Sequence, residues 1–110
     1  MFHMLSWFDL KPEQDIQAFK CSYGHFVEQM QALHLVESSG PIGQRQSDTP
    51  MDTDDDRKQQ YFVIMTFRDR PQVDKAYAYI MEYIEPGKLA HGAVYSKVVN
   101  SYFICWQDID

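Results

Sequence analysis

Two segments of this chain are apolar on both sides of a strand, and this limits the fold more than any other feature of the sequence. In "FHMLSWFDL", residues 2 to 10, a two-residue period puts Phe2, Met4, Ser6 and Phe8 on one face and His3, Leu5, Trp7 and Asp9 on the other. "YFVIMTF", residues 61 to 67, has the same character and is the strongest strand signal in the chain. A strand of a half-wetted sheet alternates apolar with polar residues, so a strand that is apolar on both faces belongs in the middle of a sheet that is covered on both sides.

Helical spacing follows each of these strands. After the first, read as residues 2 to 9, Pro12 suits a first helical turn and Glu13 and Asp15 suit its positive end. Ile16, Phe19, Tyr23, Phe26, Val27, Met30 and Leu33 then fall in one stripe at 100° per residue, with Gln14, Gln17, Cys21, His25 and Glu28 opposite. After the strand at 61–67, Asp69 or Arg70 precedes Pro71 at a second helix start. Val73, Ala76, Tyr77, Ile80 and Ile84 form its stripe, and Pro86 and Gly87 end it.

The remaining segments complete the pattern. "LVESSGPIGQRQS", residues 35 to 47, reads as a weak, broken strand in which Gly40, Pro41 and Gly43 indicate a bulge or an edge. The acidic stretch at about 48–58 reads as a solvated, mobile hairpin loop. Residues 88 to 96 suit a short helix, and "KVVNSYFICWQD", residues 97 to 108, a last strand with Cys105 as a small core residue.

The order strand, helix, strand, strand, helix, strand predicts two interleaved β-α-β units. That is the ferredoxin-like α+β fold, a four-stranded antiparallel sheet with both helices on one face, filling one domain over residues 1–110. Its topology places the first and third strands in the middle, where the doubly apolar segments must go. The helices cover one face only. The other would leave Phe62, Ile64, Tyr102, Ile104 or their neighbours bare, more than a monomer usually exposes. A second copy of the chain packed sheet on sheet covers it. Burying about 600 Å² of apolar area per subunit would contribute about 15 kcal/mol before association costs. A homodimer through the open sheet face is therefore expected.

Composition removes several classes of function. The chain has 10 Lys and Arg against 16 Asp and Glu, a net charge of −6, which repels phosphate backbones and anionic membranes, so neither nucleic acid nor membrane is expected as a partner. No apolar run approaches the roughly 18 residues of a membrane span, and no leader pattern precedes the first strand. Cys21 and Cys105 do not make a disulfide framework, and a cytoplasmic location is expected.

"SWFDLKP" and "VVNSYFICWQD", together with the element order, resemble the dimeric α+β barrel superfamily, in an uncharacterised bacterial branch. The resemblance covers essentially the whole chain and implies the ferredoxin-like fold and the dimer. The superfamily includes cofactor-free monooxygenases, haem-degrading enzymes, isomerases, stress-responsive proteins and regulatory ligand-binding modules. In its haem-degrading members a histidine in a helix after the third strand ligates iron, and His91, in "EPGKLAHGAVY", is similar in position. Those members also use an asparagine on the first strand and a tryptophan at the end of the third. Here Ser6 or Trp7, and Phe67, stand nearest those positions.

The candidate chemistry is centred on histidines and aromatics. His91 and His34 are the candidate catalytic residues, His34 by its angle beside Ile16 and Tyr23 on the first helix. A helix–sheet cleft lined by His3, Trp7, Tyr23, His34, Tyr77, His91 and Tyr95 would bind a small apolar or aromatic molecule. Cys21 and His25 share a helix face, but on its polar side and without further ligands, so no metal is expected. The aspartates at 52, 54, 55 and 56 lack the glycine and the late glutamate of a calcium loop. Arg45 reads as an exposed edge residue, with an anion contact as the other reading. No cofactor is called for. Small-molecule binding is the leading expectation. A His-centred monooxygenase, cofactor-free or haem-assisted, and a non-catalytic interaction module are the alternatives.

Overall fold

The computed structural model describes residues 1–82 and 87–110. Ile84 and Pro86, read as the last stripe residue and a stop of the second helix, lie outside them. The elements are β1 (Phe2–Leu10), α1 (Ile16–Ala32), β2 (Ser38–Ser39), β3 (Gly43–Gln44), β4 (Tyr61–Phe67), α2 (Arg70–Met81), α3 (Gly87–Tyr95) and β5 (Val98–Gln107). They form one antiparallel sheet in the order β2-β4-β1-β5, with β3 also paired to β4, and this is the ferredoxin-like α+β arrangement. The two doubly apolar strands, β1 and β4, are central as their composition requires.

The weak strand expected over residues 35–47 becomes two short edge pieces. Ser39 lies opposite Met65 and Gly43 opposite Phe62, so the edge carries one extra residue around Gly40 and Pro41. A second irregularity lies between β1 and β5, where Trp7 faces Tyr102 but Asp9 faces Val99. The surplus residue falls at Asn100, which takes φ 56°, a left-handed conformation that asparagine tolerates.

Register assigns the faces. Phe8, Val63, Met65 and Phe67 turn towards the helices and join Phe19, Tyr23, Phe26, Val27 and Met30 of α1 in the buried core. The α1 stripe is buried as its spacing predicts, up to its end. Leu33 is exposed because the helix stops at Ala32. His34 then takes φ 59°, its N–H bonds to the Gln31 carbonyl (3.0 Å), and the Leu35 N–H bonds to the Met30 carbonyl (2.9 Å). This is the Schellman helix ending, with a histidine where glycine is usual.

Cys105 departs from its reading as a core residue. It is exposed, because β5 is an edge strand that the helices leave mostly uncovered. Gln72 is the opposite case: it is polar yet only 1% exposed. Its Oε1 accepts from the Arg68 N–H (2.7 Å), and its Nε2 donates to the His34 carbonyl (3.0 Å) and to Glu37 Oε1 (3.2 Å). One side chain thus ties the start of α2 to the turn after α1.

Candidate functional site

A cleft of about 120 Å³ lies between the helices and the sheet. Met4, Ser6 and Phe8 of β1, Val63 and Met65 of β4, and Ser101 and Phe103 of β5 supply its sheet side. Phe19, Tyr23 and Phe26 of α1 and His91, Val94 and Tyr95 of α3 supply its helix side. The geometry follows from local sequence. In α3, His91, Val94 and Tyr95 are three and four residues apart, so they share the helix face turned to α1. His91 packs between Phe26 (ring centroids 5.7 Å) and Tyr95 (5.6 Å, nearly parallel).

Burial pushes the His91 imidazole below its ordinary pKa, so the ring is neutral at pH 7. No described residue hydrogen-bonds the ring, which leaves it one donor and one acceptor to offer. Tyr23 is committed. Its hydroxyl pairs with Ser39 Oγ at 2.8 Å, and burial raises its pKa. It helps shape the cleft and is no proton source near neutrality.

Of the residues expected to share one cleft, only Tyr23, His91 and Tyr95 are brought together. Trp7 and His3 lie on the opposite sheet face, because odd positions of β1 point away from the helices. His3 is held there by Thr66 Oγ1 (3.0 Å) and Asp108 Oδ1 (2.8 Å), and packs on Trp106. The hydrogen bond from His3 holds the Asp108 carboxyl below its usual range. His34 sits on the exposed turn beyond α1, outside the cleft, since its helical angle ceases to apply once the helix ends. Tyr77 is 68% exposed on α2 and lines neither cavity. Phe67 is a core residue, and Cys21 and His25 stay on the exposed face of α1.

The second cavity, about 380 Å³, lies on the helix-free face. Trp7 and Phe62, packed edge to face at 5.6 Å, are part of its lining, and residues of the acidic loop from Thr49 to Arg57 form the rest with Arg45 and Gln59. Arg45, read as an exposed edge residue, has a side chain only 9% exposed. It forms a two-pronged pair with Asp52 (2.8 and 2.7 Å) and donates to the carbonyls of Asp54 (2.7 Å) and Arg57. The hydrogen bond from Arg45 depresses the Asp52 pKa. Backbone and side-chain hydrogen bonds from Arg57 bring Asp54 down to about 2. The Arg57 guanidinium lies over the Trp7 ring at 5.1 Å. No periodicity in the sequence marks this cavity, because a loop folded back on a sheet has none. Its one sequence signal is an arginine at each end of the acidic run.

Beyond the loop the same face remains bare. Ile64, Leu5 and Ile104 form a row across β4, β1 and β5, with Tyr102 and Trp106 beside it. Tyr102 is 55% and Ile104 45% exposed. Among the described residues no helix is long and apolar enough to cross a membrane, and no three His, Cys, Asp or Glu side chains gather as a metal set.

No protein-family model matches the chain, and no curated relative matches it. Its structure is similar to solved ones. The protein At3g17210 from Arabidopsis thaliana superposes with a TM-score of 0.75 at 7% identity, covering 100% of this chain and 97% of its own. A dimeric ferredoxin-like protein of unknown function from Jannaschia sp. CCS1 gives 0.66 at 14% identity, covering 97% and 98%. An antibiotic biosynthesis monooxygenase gives 0.61 at 14% identity, covering 100% of both chains. At such identities the shared property is the fold.

Proposed function

We propose that this ferredoxin-like chain works as a homodimer, joined through its open sheet face, and binds a small apolar or aromatic molecule in the helix–sheet cleft of each protomer. The observation that carries the reading is the cleft itself. It is lined mainly by apolar and aromatic side chains, with Ser6 and Ser101 on its sheet side, and at its helix side stands a neutral imidazole that no described residue hydrogen-bonds. About 120 Å³ suits one ring or a short branched chain, comparable to the roughly 150 Å³ engineered apolar cavities that take up benzene. His91 would fix orientation through one hydrogen bond, and the ring faces of Phe26 and Tyr95 would supply contact area.

Dimerisation is supported by the bare row on β1, β4 and β5 and by the dimeric state named for the Jannaschia structure of the same fold. Among the described residues no carboxylate and no second histidine lines the cleft beside His91, and the Tyr23 hydroxyl is engaged by Ser39, so binding is favoured over the monooxygenase reading.

Toluene and p-cresol are suitable probes. Titration followed by amide and methyl NMR should shift signals of Phe26, Val63, His91 and Val94, with p-cresol also moving the His91 ring. Val94→Phe, which fills the cleft, should remove both responses. Shifts confined to other surfaces, or none with either probe, would overturn the reading.

A further inference from the structure

We propose that the helix–sheet cleft selects a compact neutral molecule with an apolar middle and a hydroxyl at each end, one held by His91 and the other by Ser6 and Ser101. This rests on the binding reading above and deepens it, by naming the chemical class that the cleft takes.

Ser6 is the polar exception on the inward face of a central strand. Its companions on that face of β1 are Phe2, Met4 and Phe8, and the residues opposite it are Val63 on β4 and Phe103 on β5. Ser101 holds the inward position next to Phe103, one diagonal step from Ser6 across the strand pair. Both serines line the cleft, and no described residue hydrogen-bonds either hydroxyl. A hydroxyl on the apolar side of a sheet costs free energy unless something answers it, and here the protein answers neither.

The three polar groups are within reach of a ligand. Among the described residues, the unpaired polar side-chain atoms that are fully enclosed belong to Trp7, Gln29 and Gln59. Ser6, Ser101 and His91 are half-buried and keep their polar atoms open. The cleft thus offers free hydrogen-bonding groups on opposite walls: two hydroxyls on the sheet side and one imidazole on the helix side. Apolar side chains such as Phe8, Phe19 and Val94 make up much of the remaining lining.

This chemistry suits hydroxyls. Serine and neutral imidazole each donate and accept, as a ligand hydroxyl does. No lysine, arginine, aspartate or glutamate lines the cleft, so a charged group would be desolvated there without a counter-charge. A volume of about 120 Å³ limits the molecule to one ring with short substituents.

The test compares ligands of equal shape. p-Hydroxybenzyl alcohol and p-ethylphenol differ only in a terminal hydroxyl against a methyl group. In titrations of the unaltered protein followed by methyl NMR of Val63 and Val94, the alcohol should bind at least as tightly as p-ethylphenol. The double variant Ser6→Ala, Ser101→Ala should reverse the order, leaving the alcohol about tenfold weaker, because its hydroxyl then enters the cleft unanswered. p-Hydroxybenzoate, with a carboxylate at the same place, should bind at least about tenfold more weakly than the alcohol. The comparison in the unaltered protein stands even if the double variant folds poorly. Tighter binding of p-ethylphenol to the unaltered protein, an order unchanged by the double substitution, or p-hydroxybenzoate binding as well as the alcohol would overturn this inference and leave an apolar cleft. No response to toluene, p-cresol or either matched phenol would instead remove the cleft reading, and this inference with it.

Discussion

Ile104→Asp tests the dimer where it should be most sensitive. Ile104 lies at the end of the row Ile64–Leu5–Ile104, on the face that no helix covers, and is 45% exposed in the protomer. Full burial of such a side chain contributes about 1.5–3 kcal/mol, so covering the exposed part would contribute about 0.7–1.4 kcal/mol. A two-fold interface holds the residue twice, and truncation alone should therefore weaken association by about 10- to 100-fold. The aspartate adds a carboxylate that must be desolvated without a partner on each side, which should carry the loss beyond about 1,000-fold. In sedimentation at low micromolar concentration the wild type should run at twice 13.0 kDa and the variant at 13.0 kDa. Thermal unfolding of the variant should remain cooperative, since the face is wetted in the lone protomer. A wild type sedimenting at 13.0 kDa, or a variant that stays dimeric, would refute the argument.

Other perturbations give distinct signatures. Gln72→Ala should cost about 2–4 kcal/mol, seen as a fall in denaturation midpoint, because the Arg68 N–H and the His34 carbonyl lose a buried partner. His34→Gly should stabilise the fold by up to about 1 kcal/mol by removing the Cβ penalty at a left-handed position, and should leave toluene binding unchanged. The folded-state pKa of His91 is depressed. Its contribution to stability is therefore present above the unfolded value of 6.5 and lost as pH falls from 6.5 towards the folded pKa, so His91→Phe should flatten the stability profile over that interval. Asp54 is likewise depressed, from 3.8 to about 2, so the hold of the loop on Trp7 should persist above about pH 4 and fade as pH drops through about 2, read by Trp7 fluorescence in Trp106→Phe.

The cleft was partly legible. Tyr23 follows from its place on the α1 stripe, and His91 and Tyr95 stand out in sequence as polar and aromatic residues of a short helix. Sequence places Trp7 and His3 with them as readily as on the other face, because apolar residues on both faces of β1 give no clue to which face meets the helices. The period of two assigns residues to faces but not faces to partners, and a slip of one residue would exchange them. His34 falls outside the cleft for another reason. An angular stripe is meaningful only while the helix lasts, and Gln31, Leu33 and Leu35 contain no stop signal as clear as glycine. The way the acidic loop folds back on Arg45 has only a faint signal in the sequence, an arginine at each end of the run. Arg45 and Asp52 are seven residues apart, with no regular structure to define their separation in space.

Sequence by itself determined the order of elements, the central places of β1 and β4, the buried stripe of α1 and the net acidic charge. Each of these follows from local periodicity or from summed charge, which require no knowledge of neighbours distant in the chain. Tertiary structure alone decided which face of β1 lies under the helices, which histidine enters the cleft, where the bulge at Asn100 falls, and that Arg45 draws the acidic loop over Trp7. Those outcomes depend on pairings between residues far apart in the chain, such as Gln59 with Asn100 and Gln72 with His34, and their energies exist only once the sheet has closed.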